Sequence, residues 1–162
     1  MHSKNYTTSI EVDQTPAEVF RAITNPRAWW SEGIEGKTEK LNDEFVYNYR
    51  DVHRAHMKLT EVVPDKKVVW QVLDNYFNFT QDEHEWKGDT IIFEITSTGN
   101  KTLLQFTQIG LTPENECYEV CEKGWGNYID GSLYKLITTG KGMPNPKEGG
   151  FNEALLKEIT RS

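Results

Sequence analysis

The residues able to do chemistry in this chain are few and scattered. Its four histidines, His2, His53, His56 and His84, show neither zinc-finger nor His-Glu-x-x-His spacing. Cys117 and Cys121 stand four apart on one predicted helix turn, a geometry that does not favour a disulfide, and read as two reduced, partly buried thiols. Asp82-Glu83-His84-Glu85 is an acidic run that could hold a cation, but such runs are ordinarily solvated loops. No Ser-His-Asp or Cys-His set, fixed carboxylate pair, phosphate-cradling glycine loop or nucleotide fingerprint is present, so neither catalytic residues, a metal site nor a cofactor is expected. What the sequence has in abundance is aromatic surface, with 5 Trp, 7 Tyr and 7 Phe in 162 residues, enough to wall a cavity.

Those rings need elements to hold them. Tyr6 to Asp13 suits a first strand, after which Thr15-Pro16-Ala17-Glu18 is a capping box with proline at the first helical position. Asn25-Pro26 ends that helix, and Arg27-Ala28-Trp29-Trp30 suits a second short one. From Ile34 to Ile109 a period of two dominates, with turns at Asn42-Asp43, Pro64-Asp65 and Gly99-Asn100. It places Phe45, Tyr47 and Tyr49, then Met57 and Leu59, then Val68, Trp70 and Val72, then Ile91, Phe93 and Ile95, then Leu104 and Phe106 on one apolar face. Asp74 to Asp89 reads as a long interrupting loop, with His56 and His84 pointing to solvent.

After Pro113 the period becomes 3.6 and predicts one long helix over Glu114 to Thr139. Its apolar stripe holds Tyr118, Cys121, Trp125, Tyr128, Ile129, Ser132 and Leu136, which suits it to cover the sheet. The expected organisation is a single α+β domain over residues 1–143: a curved antiparallel sheet of six or seven strands around a long C-terminal helix, with two short helices after strand 1. The tail, 144–162, carries Leu155, Leu156 and Ile159 at helical spacing and suits a short docked helix.

The net charge of −7 argues against nucleic acid as the main partner, and no apolar run approaches the ~20 residues of a membrane span. Without a signal-peptide pattern, the chain reads as cytoplasmic. Small residues in the helix stripe, Ser132 with Gly124, Gly126 and Gly131 around it, suggest a gap facing the sheet. The expected ligand-binding residues are Tyr47, Tyr49, Met57, Trp70, Phe93, Phe106, Gln108, Trp125, Tyr128 and Ser132, with Gln108 or a tyrosine hydroxyl as partner for the Trp125 N–H. Alternatively the rings fill that space themselves.

The stretch from Thr15 to Pro26 with Trp29-Trp30, then Glu61 to Trp70, Lys101 to Gln108 and Gly124-Trp125, resembles the START-related SRPBCC superfamily of helix-grip proteins. Within it the chain is most similar to the branch containing the C-terminal domain of the activator of heat-shock protein 90 ATPase. The resemblance implies a cavity between sheet and long helix, and non-enzymatic binding of a small apolar or aromatic molecule. It also implies two alternatives: a protein-interaction module with a chaperone or a second copy as partner, or a polyketide cyclase/dehydratase-like enzyme. Where relatives often end a strand on an inward histidine, this chain has Gln108.

Overall fold

A computed structural model describes residues 5–50 and 52–146; the expected tail helix lies outside them. Strand β1 (Tyr6–Val12) leads into α1 (Pro16–Ile23), where the Thr15 hydroxyl accepts from the Glu18 amide at 3.2 Å and Pro16 occupies the first turn. A single 3₁₀ turn (Pro26–Ala28) follows, then β2 (Glu35–Gly36), β3 (Glu44–Tyr49), β4 (His53–Val63), β5 (Lys67–Phe77), β6 (Thr90–Thr98) and β7 (Lys101–Ile109). The seven strands form one antiparallel sheet in the order β1-β7-β6-β5-β4-β3-β2. Its apolar face carries the inward residues expected from the alternation, and the helices cover it. Among the described residues no helix is long and apolar enough to cross a membrane.

Two irregularities interrupt the β4–β5 pairing. The register shifts between His56 and Met57, where Leu73 has no partner, and again between Leu59 and Glu61. The bulge at Leu73 resets the alternation of β5: Val68, Trp70 and Val72 point inward before it, Asn75 and Phe77 after it. The strand therefore runs on to Phe77, and the predicted loop from Asp74 shortens to Asn78–Asp89.

The C-terminal helical rod starts later than its period suggests, at Tyr118 rather than Glu114. It runs through α2 (Tyr118–Trp125), a π-helical segment (Gly126–Leu133) and α3 (Tyr134–Thr139) without leaving helical dihedrals, until Gly140 stops it at φ +83°. Cys117 offers no side-chain cap; instead the Glu85 carboxylate accepts from the Glu116 and Cys117 amides at 2.8 and 2.9 Å. The wider π turns move the buried stripe one residue later. Leu133 and Ile137 are buried, whereas Leu136, expected on the stripe, is only half-buried.

Candidate functional site

Where β3, the start of β4 and the end of β5 approach α2, the packing leaves a cavity of about 70 Å³. Its wall comes from every neighbouring element. Strands β3 to β5 give Tyr47, Tyr49, His53 and Phe77, the loop after β5 gives Phe79 and Trp86, and the segment after the 3₁₀ turn gives Trp30. The helical rod gives Val120, Cys121, Gly124, Trp125 and Tyr128, and Val52 completes the rim. Val52, His53, Phe79, Val120 and Gly124 are half-buried, whereas the rings of Trp30, Tyr47, Tyr49, Phe77, Trp86, Trp125 and Tyr128 are buried.

The rings brace one another. Trp30 stacks on Tyr47 at 4.4 Å, and Trp86 stacks on Trp125 at 5.7 Å. His53 sits among Phe77 at 4.5 Å, Trp86 at 4.8 Å and Tyr47 at 4.9 Å. Desolvation pushes the His53 imidazole down from 6.5 to about 3, so it is uncharged at neutral pH. Burial, followed by the nearby Tyr47 and Tyr49, pushes the Tyr128 phenol up. Desolvation likewise raises the Cys121 thiol, with Cys117 beside it adding to the effect; both cysteines are free and buried.

Of the residues expected to bind a ligand, the structure places Tyr47, Tyr49, Trp125 and Tyr128 on the cavity wall. Met57, Trp70, Phe93, Phe106, Gln108 and Ser132 are buried but do not line it. The first four fill the sheet's inner face themselves: Trp70 packs on Phe93 at 4.7 Å and on Phe45 at 5.0 Å, and Phe106 on Phe93 at 5.2 Å. Gln108 supports the wall from behind. Its side-chain oxygen accepts from Trp125 Nε1 at 2.8 Å, and its amide group donates to Asp89 Oδ2 at 2.9 Å.

Ser132 corrects the expectation of a gap beside it. Its Oγ accepts from the Met143 amide at 2.7 Å, and a Cβ placed on Gly142 would lie 3.2 Å from that oxygen. The chain leaving the helix occupies the space. Ser132→Leu is therefore expected to destabilise the protein by about 2 kcal/mol, the usual cost of overpacking, with a lowered urea midpoint as the measurement. A neutral outcome would mean that the segment around Met143 yields easily. The small residue that does open a cavity is Gly124: a Cβ there meets nothing within 4 Å.

Nine of the thirteen wall residues were not among those expected to bind a ligand, and three of these, His53, Phe77 and Trp86, differ in how far the sequence could have shown them. His53 was legible, because extending the Met57–Leu59 alternation backwards through Ala55 points it inward. Phe77 depends on the Leu73 bulge, and Trp86 on the loop folding back, where its amide donates to the buried Asn75 side chain at 2.9 Å. His56 and His84 are surface histidines: His56 Nε2 lies 2.9 Å from Glu44, and the His84 side chain is 53% exposed. Among the described residues no group of three or more His, Cys, Asp or Glu could hold a metal ion.

A seven-stranded antiparallel sheet gripping a C-terminal helix, with a cavity at the open end, defines a helix-grip domain of the SRPBCC class. The chain belongs to the family of Activator of Hsp90 ATPase homolog 1-like proteins, whose model matches residues 13–138. Solved structures share the fold. The Aha1 dimer from Colwellia psychrerythraea is similar with a TM-score of 0.68 and 22% identity, over 86% of this chain and 99% of that one. The Mll3558 protein from Rhizobium loti gives 0.64 and 17%, over 84% and 97%. DynU16, from the dynemicin biosynthetic locus, gives 0.61 and 16%, over 84% and 48%. Comparison with curated proteins gives no match.

Proposed function

We propose that this chain binds a small apolar or aromatic molecule in the cavity between the sheet and α2, without transforming it. The observation that carries the reading is the cavity wall: ring after ring, no carboxylate, lysine or arginine, and a neutral imidazole. At about 70 Å³ the space is roughly half that of an engineered cavity that accepts benzene, so a ring would fill it together with the mouth. The wall's titratable groups, His53, Cys121 and the phenols of Tyr47, Tyr49 and Tyr128, include no carboxylate or lysine, and burial keeps the imidazole uncharged and raises the thiol, which argues against acid–base or nucleophilic chemistry.

Gly124 supplies the test. Leucine at this position finds open space and should occupy the cavity, while leaving a glycine-poor helix that is more stable by up to about 1 kcal/mol. Toluene titrated into the wild type should give saturable chemical-shift changes at Tyr47, Trp125 and Tyr128. Gly124→Leu should weaken that binding at least tenfold while its melting temperature stays level or rises. No saturable response in the wild type, or an equal response in both proteins, would defeat the reading.

Association with a protein chain is a second reading, supported by the family and by the dimer that the Colwellia protein forms. Its apolar contacts would come from exposed side chains such as Leu41, Ile109, Tyr134 and Met143. Sedimentation at the monomer mass across a range of protein concentrations would count against self-association.

A further inference from the structure

Among the buried hydrogen-bonding atoms that the fold leaves without a partner, His53 Nε2 and Trp86 Nε1 belong to residues of the cavity wall. From His53 Nε2 we propose that the ligand is a neutral phenol, its hydroxyl paired with that nitrogen and its ring held among the surrounding aromatic side chains. This rests on the proposed binding in the cavity and narrows it. His53 Nε2 is shut off from solvent and has no hydrogen-bond partner, a condition that costs free energy and that a ligand can relieve. The imidazole is held on three sides by Tyr47, Phe77 and Trp86, the last perpendicular to it at 88°, so its direction is fixed before any ligand arrives.

The choice of a phenol comes from what that atom can do. A neutral imidazole carries a proton on one ring nitrogen and a lone pair on the other, and the tautomer decides which is at Nε2. A phenol satisfies both, because its O–H donates to a bare nitrogen and its oxygen accepts from an N–H. An aryl ether can only accept, and a hydrocarbon does neither. Benzoates would bury a charge against a wall that has no counter-charge, and burial sets the Tyr128 phenol, beside Tyr47 and Tyr49, against ionising. Aromatic faces attract alkylammonium ions, but no carboxylate lines the wall to neutralise one.

The test uses four probes of one shape, p-cresol, 4-methylanisole, p-xylene and 4-methylbenzylammonium, titrated into the wild type and into His53→Phe by calorimetry or ligand-observed resonance. In the wild type p-cresol should bind more tightly than 4-methylanisole and 4-methylbenzylammonium. His53→Phe should weaken p-cresol about tenfold, the effect of one lost buried hydrogen bond, and p-xylene less than threefold. Binding of p-xylene to the variant reports that its cavity is intact; should the variant not fold, the wild-type order of the probes still decides. Equal losses for p-cresol and p-xylene, no loss for either, or a wild-type preference for the ether or the ammonium would overturn the phenol while leaving the cavity reading in place. If no probe binds the wild type, the cavity reading fails and the phenol with it.

Discussion

Gly110→Ala should be among the most damaging single methyl additions in this protein, lowering stability by about 3 kcal/mol or more. Two costs combine. Gly110 has φ +112°, a conformation that side chains rarely adopt and that costs about 1–3 kcal/mol when imposed. Its added methyl would also lie 2.0 Å from Asp89 Oδ1, forcing the carboxylate away from Gln108. Because Gln108 in turn fixes the Trp125 indole, the disturbance reaches the cavity wall. A double-mutant cycle separates the two parts: in an Asp89→Ser background the alanine should cost only its backbone share, about 1–2 kcal/mol. Equal costs in both backgrounds, read from urea unfolding, would show that the carboxylate does not feel the methyl.

The response to acid should come from two buried groups working against each other. Burial, with a smaller contribution from Glu85, pushes Asp89 up from 3.8 to about 6, despite the opposing hydrogen bond from Gln108. Between these values the native state holds a proton that the unfolded chain has released, so this group's contribution to stability falls as pH rises from about 4 to 6. His53 has the opposite sign. Its pKa drops from 6.5 to about 3, so the unfolded chain takes up a proton that the native state refuses, and stability is lost as pH falls below 6.5. Each slope approaches about 1.4 kcal/mol per pH unit, and from pH 4 to 6 they nearly cancel.

Removing one group should therefore uncover the other. Relative to wild type, His53→Phe is expected to gain on the order of 2 kcal/mol as pH falls from 6 to 4, and Asp89→Asn to lose a similar amount over the same interval. Below about pH 3.8 Asp89 no longer opposes, and the wild type should weaken steeply. Urea midpoints at pH 4, 5, 6 and 7 for the three proteins measure this. Parallel curves would mean that neither group titrates differently in the native and unfolded states.

The fold was legible where spacing alone decides. The alternation of Phe45, Tyr47 and Tyr49 and of Ile91, Phe93 and Ile95 identifies the inner face, and Thr15-Pro16 identifies the start of α1. Legibility fails where a distant residue intervenes. The helix begins at Tyr118 under a cap supplied by Glu85, more than thirty residues earlier, and its π turns replace Leu136 in the interior with Leu133 and Ile137. The bulge at Leu73 hides Phe77 from any fixed period. For the candidate site the limit is different in kind: period two says that Trp70 and Tyr47 both point inward, but not that Trp70 meets other rings while Tyr47 borders empty space. Only the packing of all elements together determines where volume is left over.

All five indoles are linked by close contacts: Trp29 to Trp70 at 6.2 Å, Trp70 to Trp30 at 5.9 Å, Trp30 to Trp125 at 5.0 Å and Trp125 to Trp86 at 5.7 Å. At such separations an absorbed photon does not stay on the ring that captured it. Excitation should migrate among them, so that the light the protein emits belongs to the network rather than to one ring. Three of the five, Trp30, Trp86 and Trp125, border the cavity. A quencher lodged there would drain excitation from Trp29 and Trp70 as well, darkening indoles it never touches.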